Sequence, residues 1–538
     1  MTVTMKKTIL IMIAALAALV SCDALLKEES KTAITANWLK TTPEGLDKMV
    51  IALYERDRDR VRDFGGEGTF FQVMQLDCCT DIMLFTSGSA AQYARLTGAT
   101  PSSTYFKQFW THYYSLIGKA NEIIDAAEKL GLDNSVTQKA WAEAKVFRAR
   151  AYFELYKRYD RLYLNLIPTG VDNISRDFYP SGKKAIFEVI TSDLDQAIPA
   201  LPWTDMAGRY HKAVAKHIRA QVAMWEDDYD TAIKECEDIF ANSNYGLMPR
   251  AIDCFNKADL TCKENLCIYP FSDNIGGGNS VSSSSGELQG HRMSLLTTSR
   301  YGNVDGMKWD EAYGGYGWGR GYPNSYLLSL YGPKDKRYDE LFVTKFYYND
   351  PDKLPAGKKL GDEVVAKSGT EYVTSLHPFS RKYSDEGYTN EGNPSRMTSY
   401  KDVVLYRLAE TYLMCAEAYY HKEGGSSANA LKYFNMTYTR AGNDAFTGTL
   451  KIQDLLDEYA RECHMEGVRW QLLKRLRMLD RVQIYGGDLP KDDPKLVDVE
   501  DKAQMRTNWD EKWYNWPIPQ SEIDFMGIQN FPQNAGWL

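Results

Sequence analysis

The chain has 538 residues, of which 25 % are charged and 44 % hydrophobic, the balance of a globular protein with a large core rather than of a disordered or multispanning one. Its net charge of −8 argues against a nucleic-acid binder, which needs a net basic face to neutralise phosphates. Trp and Tyr number 12 and 36 against 20 Phe, a surplus of aromatics with an apolar body and a polar tip, suited to wet sites that need stacking area.

At the N-terminus Lys6-Lys7 precedes an uncharged, mostly apolar run from Thr8 to Val20. That run suits a signal sequence and is shorter than the roughly 20 residues that span a bilayer. It ends in Leu19-Val20-Ser21-Cys22, which resembles a bacterial lipobox. Residues 1–21 therefore read as a lipoprotein signal peptide, Cys22 as the lipidation site and 22–40 as a lipidated tether, with membrane attachment through lipid rather than a span. Residues 41–269 form an N-terminal helical part. Thr42-Pro43-Glu44 opens its first helix, which runs to about Arg60: Thr42 caps, Pro43 suits the first turn and Glu44 suits the positive helix end. The Arg-Asp alternation from Arg56 to Asp63 reads as a solvated, salt-laced face. Tyr105–Leu130 and Gln138–Tyr159 are two long helices, the second with Ala140, Ala144, Phe147, Ala151 and Leu155 on one apolar stripe. Helices over Ile186–Ile198, Ala213–Trp225 and Tyr229–Phe240 follow.

Residues 270–400 are loop-rich, punctuated by Gly276-Gly277-Gly278 and Ser282 to Ser285, and read as a large irregular insertion. Residues 401–538 return to helix, over Val403–Tyr420, Asn429–Thr439, Ile452–His464 and Val468–Ile484, before an aromatic tail. Small residues at facing positions, Ala220 with Ala232 and Ala416 with Ala430, let helices pair closely, as in tetratricopeptide-type units. The fold class expected is mainly α, with tetratricopeptide-like helix pairs and one large irregular insertion in a single body.

Chemical motifs are sparse. The chain has no Walker A sequence, no Gly-x-Ser-x-Gly and no His-Glu-x-x-His. Ser181 to Lys184 matches Ser-x-x-Lys, but Ser181 reads more simply as the cap of the helix at Ile186. The seven histidines show no metal spacing. There is no EF-hand loop, so no cofactor is expected and only a structural calcium stays open. Cys236, Cys415 and Cys463 fall on helical stripes and read as reduced core residues. Cys254, Cys262 and Cys267 lack zinc spacing, and one disulfide among them stays open.

Five ordered stretches carry a resemblance. They are residues 143–168, with Arg148-Ala149-Arg150-Ala151-Tyr152-Phe153 and a later Ile167-Pro168; 402–442, with Leu405-Tyr406-Arg407-Leu408-Ala409-Glu410 and Arg440-Ala441-Gly442; Glu466-Gly467-Val468-Arg469-Trp470; Trp516-Pro517-Ile518-Pro519; and Gln533-Asn534, where Ala535 replaces a proline. With the lipobox they are similar to the SusD/RagB family of starch-utilisation outer-membrane lipoproteins. The resemblance implies four tetratricopeptide-like helix pairs with an irregular binding half. It also implies a cell-surface, outer-membrane location, no catalysis, and delivery of a nutrient, usually an oligosaccharide, to a TonB-dependent (SusC-like) transporter.

The matched motifs are scaffold, and Arg407 with Glu410, three apart, reads as a local helical pair. Ligand residues have to be sought in loops. The densest aromatic loop runs from Trp309 to Tyr326, with Trp309, Tyr313, Tyr316 and Trp318 among glycines and Asp305, Asp310, Glu311 and Arg320 at hand. Flat aromatics cover the apolar face of a sugar while charged or amide groups take its hydroxyls. A second candidate lies between Asp77 and Tyr105, with Asp77, Asp81, Tyr93 and Arg95. His291 and Arg292 are a third, as a pocket edge. A surface glycoside hydrolase, a tetratricopeptide-type protein scaffold and a peptide-binding variant stay open as alternatives.

Overall fold

The structure, a computed structural model, describes residues 36–61, 67–85, 91–170, 178–272, 290–389, 392–395, 397–486 and 505–537. The signal sequence and Cys22 lie outside them. The fold is mainly α. Helices α1 (Pro43–Arg58), α2 (Thr104–Leu130), α3 (Ser135–Tyr159), α4 (Lys183–Ala200), α5 (Lys212–Trp225) and α6 (Tyr229–Phe240) precede the loop-rich stretch. Helices α7 (Leu408–Glu423), α8 (Ala428–Arg440), α9 (Ile452–Cys463) and α10 (Arg469–Arg475) follow it. Helix α2 packs on α3, α5 on α6 and α7 on α8, and α6 stacks across onto α7. The small residues are where the pairs meet: Ala220, Ala232, Ala416 and Ala430 are all fully buried.

Local chemistry sets the helix starts. The Thr42 hydroxyl accepts from Gly45 N (3.1 Å), and Asn134 Oδ1 accepts from Val136 N (2.8 Å). Ser181 is not a cap. Gly182 takes that position, and Ser181 N donates to Leu162 O (2.7 Å). Helix α3 departs from the one-stripe expectation because it is buried nearly all round. Its polar residues survive there by pairing. Arg148 and Lys145 share Asp193 (2.7 and 2.9 Å), Arg150 meets Asp57 (2.6 Å) and Glu143 meets Arg209 (2.6 Å). The Asp57 pairing corrects the solvated reading of the Arg-Asp run. Asp57 is 1 % exposed, and burial, which opposes its charge, is overcome by Arg150 and His112, so its carboxyl is held well below the usual range.

Other boundaries moved. Part of the expected tether is helical, over Ala36–Thr41, and it lies so close to α1 that a β-carbon on Gly45 would collide with the backbone of Trp38 and Leu39. The expected helix at Val403 begins instead as a strand. In chain order the strands are β1 (Met83–Phe85), β2 (Asn265–Tyr269), β3 (Gly321–Pro323), β4 (Phe342–Val343), β5 (Phe379–Ser380) and β6 (Val403–Arg407). The β-branched Val403-Val404 suits the pleated surface, and β6 pairs antiparallel with β2, Ile268 opposite Val404. The expected helix from Val468 to Ile484 breaks after Arg475, where Arg477 turns left-handed (φ 58).

The loop-rich stretch leaves the helical body at the end of β2 and re-enters it at β6. It is tied down again where β3 pairs with β1, Leu84 opposite Tyr322, and internally where β4 pairs with β5. Beneath it lies a buried ionic network. Arg407 meets Glu264 (2.6 Å), Glu462 (2.6 Å) and Glu466 (2.7 Å). Lys382 meets Glu466 (2.6 Å), and Arg337 meets Asp335, Glu458 and Glu462 at 2.7–2.9 Å. Arg407 therefore does not pair with Glu410: it ends a strand, and Glu410 accepts from Gln221 Nε2 instead (2.8 Å). The described cysteines are all thiols, and Cys236, Cys415 and Cys463 are buried in the core. Cys254, Cys262 and Cys267 remain unpaired as disulfides, and a hydrogen bond involving Cys254 pulls the half-buried Cys262 thiol down to about 7.

Candidate functional site

The aromatic loop is built on a small apolar cluster of its own, separate from the main core. Tyr301, Val304, Met307, Val343, Phe346, Tyr348, Leu376 and Phe379 form its buried part, with Trp309 and Tyr313 packed against it. Tyr301 is the organising residue. Its hydroxyl donates toward Asp310 O (3.0 Å) and Gly315 O (3.0 Å) and accepts from Asp310 N (2.8 Å), pinning the turn that carries the aromatics. Asp310 then caps a short helical turn, Glu311–Tyr313, by accepting from Ala312 N (2.9 Å). Gly314 closes that turn in the left-handed region (φ 76), where a side chain would be strained.

Trp309 meets its neighbours edge to face, and Tyr313 meets its own at a tilt. Trp309 lies 4.9 Å from Tyr301 and 4.8 Å from Tyr316, and Tyr313 lies 5.1 Å from Tyr301 and 5.6 Å from Phe346. Trp309 also rests on Gly302, where any β-carbon would collide with the indole. Trp309, Tyr313 and Tyr316 are thus brought together, each half-buried with part of its surface open. Burial raises the Tyr313 phenol, so it is a neutral hydrogen-bonding group that accepts from Tyr347 N (3.2 Å). Asn349 donates to Lys308 O (3.1 Å) and accepts from Lys308 N (2.8 Å), bracing the loop from below.

Trp318 and Arg320 lie at the far end of the same loop. Trp318 N donates to Leu295 O (2.7 Å) and Arg320 N to Leu296 O (2.8 Å), seating this end on the short helix Met293–Thr297. Gly317 permits that approach, because a β-carbon there would strike the carbonyl oxygens of Thr298 and Ser299. The Arg320 guanidinium lies over the Trp318 ring (4.1 Å), and Arg292 approaches the same ring (5.5 Å). His377 stacks on Tyr322 at 4.2 Å. Burial holds His377 down to about 4, leaving it a neutral imidazole.

The second sequence candidate does not assemble into a site. Asp81 is fully buried, where it neutralises Arg469 (2.7 Å) and Arg481 (2.7 Å). Tyr93 is 1 % exposed and packs edge-on against Trp516 (5.3 Å) and Trp513 (5.9 Å). Asp77 is fully buried and accepts from Met465 N (2.6 Å) and Arg469 N (3.1 Å). Arg95 is half-buried, and its carbonyl receives Asn508 Nδ2 (2.9 Å). His291 is no pocket edge: it is fully buried, with Nε2 2.8 Å from Lys401 O. Asp305 is exposed and pairs with Lys367 (3.0 Å). Sequence reasoning missed Tyr301, Phe346 and Arg300. Arg300 donates from Nε to Trp318 O (2.7 Å). No periodic signal marks these residues, because long-range packing alone brings them to the loop.

Among the described residues no three His, Cys, Asp or Glu side chains converge as metal ligands, and no helix is long and apolar enough to cross a membrane. Small cavities in the helical body, such as the one of about 30 Å³ lined by Arg60, Glu154, Lys157, Glu466 and Gln471, have room for about one water.

Comparison with known proteins follows the same lines. The family model described as "SusD family" matches residues 263–537. A SusD-like protein of Bacteroides ovatus is 24 % identical over 383 residues, 67 % of this chain and 64 % of that protein. The starch-binding protein SusD of Bacteroides thetaiotaomicron is 30 % identical over 154 residues, 28 % of this chain and 25 % of that protein. In both cases the match spans less than two thirds of the relative's own length. Among solved structures, a laminarin binding SusD-like protein superimposes with a TM-score of 0.70 at 18 % identity, covering 92 % of this chain and 99 % of that one.

Proposed function

The chain belongs to the SusD family, and on that premise we propose that it is a non-catalytic, cell-surface glycan-binding protein that holds its ligand on the loop from Trp309 to Arg320. Relatives and structural neighbours that bear the names starch-binding and laminarin binding support a carbohydrate ligand. The observation that carries the reading is the group of Trp309, Tyr313 and Tyr316, half-buried and locked by Tyr301. Rigid rings with open faces suit the C–H face of a pyranose, and preorganisation lowers the ordering cost of binding. Binding without turnover fits the carboxyl chemistry. Burial raises Asp77 to about 7 and Asp402 to about 6, but these groups hold backbone amides of the scaffold, and Asp310 holds its own loop. A lipid anchor at Cys22 would keep the protein on the outer membrane beside a TonB-dependent transporter, to which it passes the glycan.

Titration calorimetry against a panel of oligosaccharides, with reducing-end release measured in parallel, tests this reading. Saturable binding with no release is expected. Trp309→Ala should weaken binding about tenfold, the scale of one stacking contact. Unchanged affinity in Trp309→Ala would remove this loop as the site, and glycan cleavage would make the protein a hydrolase.

A further inference from the structure

Most arginines among the described residues are matched by acid. Arg148, Arg150, Arg209, Arg337, Arg407, Arg469 and Arg481 each have a carboxylate at 2.6–2.9 Å. Arg60 and Arg158, which stack on rings, still share the field of Glu154. Arg300 and Arg320 are among the exceptions. Neither forms an ion pair with any described residue. Among the described residues Arg300 donates to the Trp318 carbonyl (2.7 Å). Arg320 stacks on the Trp318 ring (4.1 Å), and its Nε is buried without a hydrogen-bond partner among the described residues. Arg292 adds a further guanidinium at the same ring (5.5 Å). Burial and the like charges of Arg300 and Arg292 lower the Arg320 guanidinium, which stays charged. Like charge gathered at a half-buried position is relieved by an anion.

We infer that the Trp318 end of the loop is a subsite for an acidic sugar, one carrying a carboxylate or a sulfate ester, which Arg320 and Arg300 engage while the Trp318 ring borders it. The planar guanidinium fork matches both anions, each an array of oxygens that can accept two parallel N–H bonds. The inference rests on the proposed glycan-binding role and names its ligand class. The neutral stacking surface at Trp309, Tyr313 and Tyr316 would hold one sugar unit, and the arginines would select the charge of the next.

The test uses matched pairs. Oligogalacturonides and their methyl esters probe carboxylate, and κ-carrageenan oligosaccharides, which carry no uronate, and their desulfated forms probe sulfate, alongside neutral β-glucan oligosaccharides. Binding is measured by calorimetry on wild type, Arg320→Gln, Arg300→Gln and Arg320→Lys, with thermal melting to check folding. In at least one pair the acidic member should bind about tenfold more tightly than its neutral counterpart. Arg320→Gln should abolish that preference, and Arg320→Lys should restore part of it. Which pair shows the preference identifies the anion. Equal affinity within both pairs, or binding of neutral glycans alone, would overturn the inference and leave the glycan-binding role standing. Binding to no glycan of either kind would overturn both.

Discussion

Asp77 illustrates how a single side chain couples to the whole scaffold. It sits in the left-handed region (φ 57), fully buried, and burial pushes its carboxyl up to about 7 against two backbone N–H donors. Its ordinary value in the unfolded chain is near 3.9. Between those values the folded state holds the proton more tightly, so the contribution of Asp77 to stability is full below about pH 4 and is lost as pH rises through about 7. Asn adopts the same backbone conformation readily and carries no charge. Asp77→Asn should therefore gain stability relative to wild type on going from pH 5 to pH 8, by an amount on the order of 3 kcal/mol. Urea unfolding at the two pH values measures it, and a difference that does not change with pH would contradict the buried carboxyl. Asp81 behaves oppositely: against burial, Arg469 and Arg481 hold its carboxyl below the usual range. Asp81→Ala leaves two buried guanidiniums unmatched and should cost about 3–5 kcal/mol in the same assay. A loss below about 1 kcal/mol, with weakened glycan binding instead, would restore the ligand role that the sequence suggests. That role was a natural misreading. An acid in a loop looks the same whether it faces water or an arginine, and its partners here lie 388 and 400 positions along the chain.

Elements were legible where periodicity is local. The expected bounds of α2, α3, α5 and α6 lie within a few residues of their observed ends, because 3.6-residue spacing is a property of the segment itself. They were not legible where the partner is remote. Val403 to Arg407 continues the apolar spacing of α7 and reads as helix, yet β2 claims it as a strand. The aromatic loop was found by composition, but composition could not show that Tyr301 and Phe346 hold it or that Arg300 reaches into it. Gly317 is the hinge of that arrangement at the element scale. Gly317→Ala would push the loop off the Thr298 and Ser299 carbonyls, shifting Trp318 and Arg320 while leaving the helix pairs intact. Far-UV circular dichroism should match wild type, while glycan affinity should fall at least about threefold, the effect of misplacing one contact. Wild-type affinity in a folded Gly317→Ala protein would mean that this end of the loop does not touch ligand.

For the whole molecule, division of labour follows from topology. Strands β2 and β6 frame the loop-rich stretch, and β1 with β3 fastens it to the first half of the chain. The Arg407 network joins residues 264, 382, 462 and 466 beneath it. Against burial, Arg440, Arg407 and Arg337 hold Glu462 well below the carboxylate range, so the network is charged and satisfied at neutral pH. A scaffold held this firmly can present loop aromatics at fixed positions, which is what recognition of a repeating sugar requires. The central claim, that this protein binds glycan on the 309–320 loop without chemical change, is tested most directly by one calorimetric comparison. Wild type and Trp309→Ala are titrated with the same oligosaccharide panel, and the ligand is recovered afterwards for size analysis. Saturable binding by wild type, clear weakening in Trp309→Ala and intact ligand on recovery are the expected result. No binding to any glycan, equal binding by both proteins, or shortened ligand would contradict it.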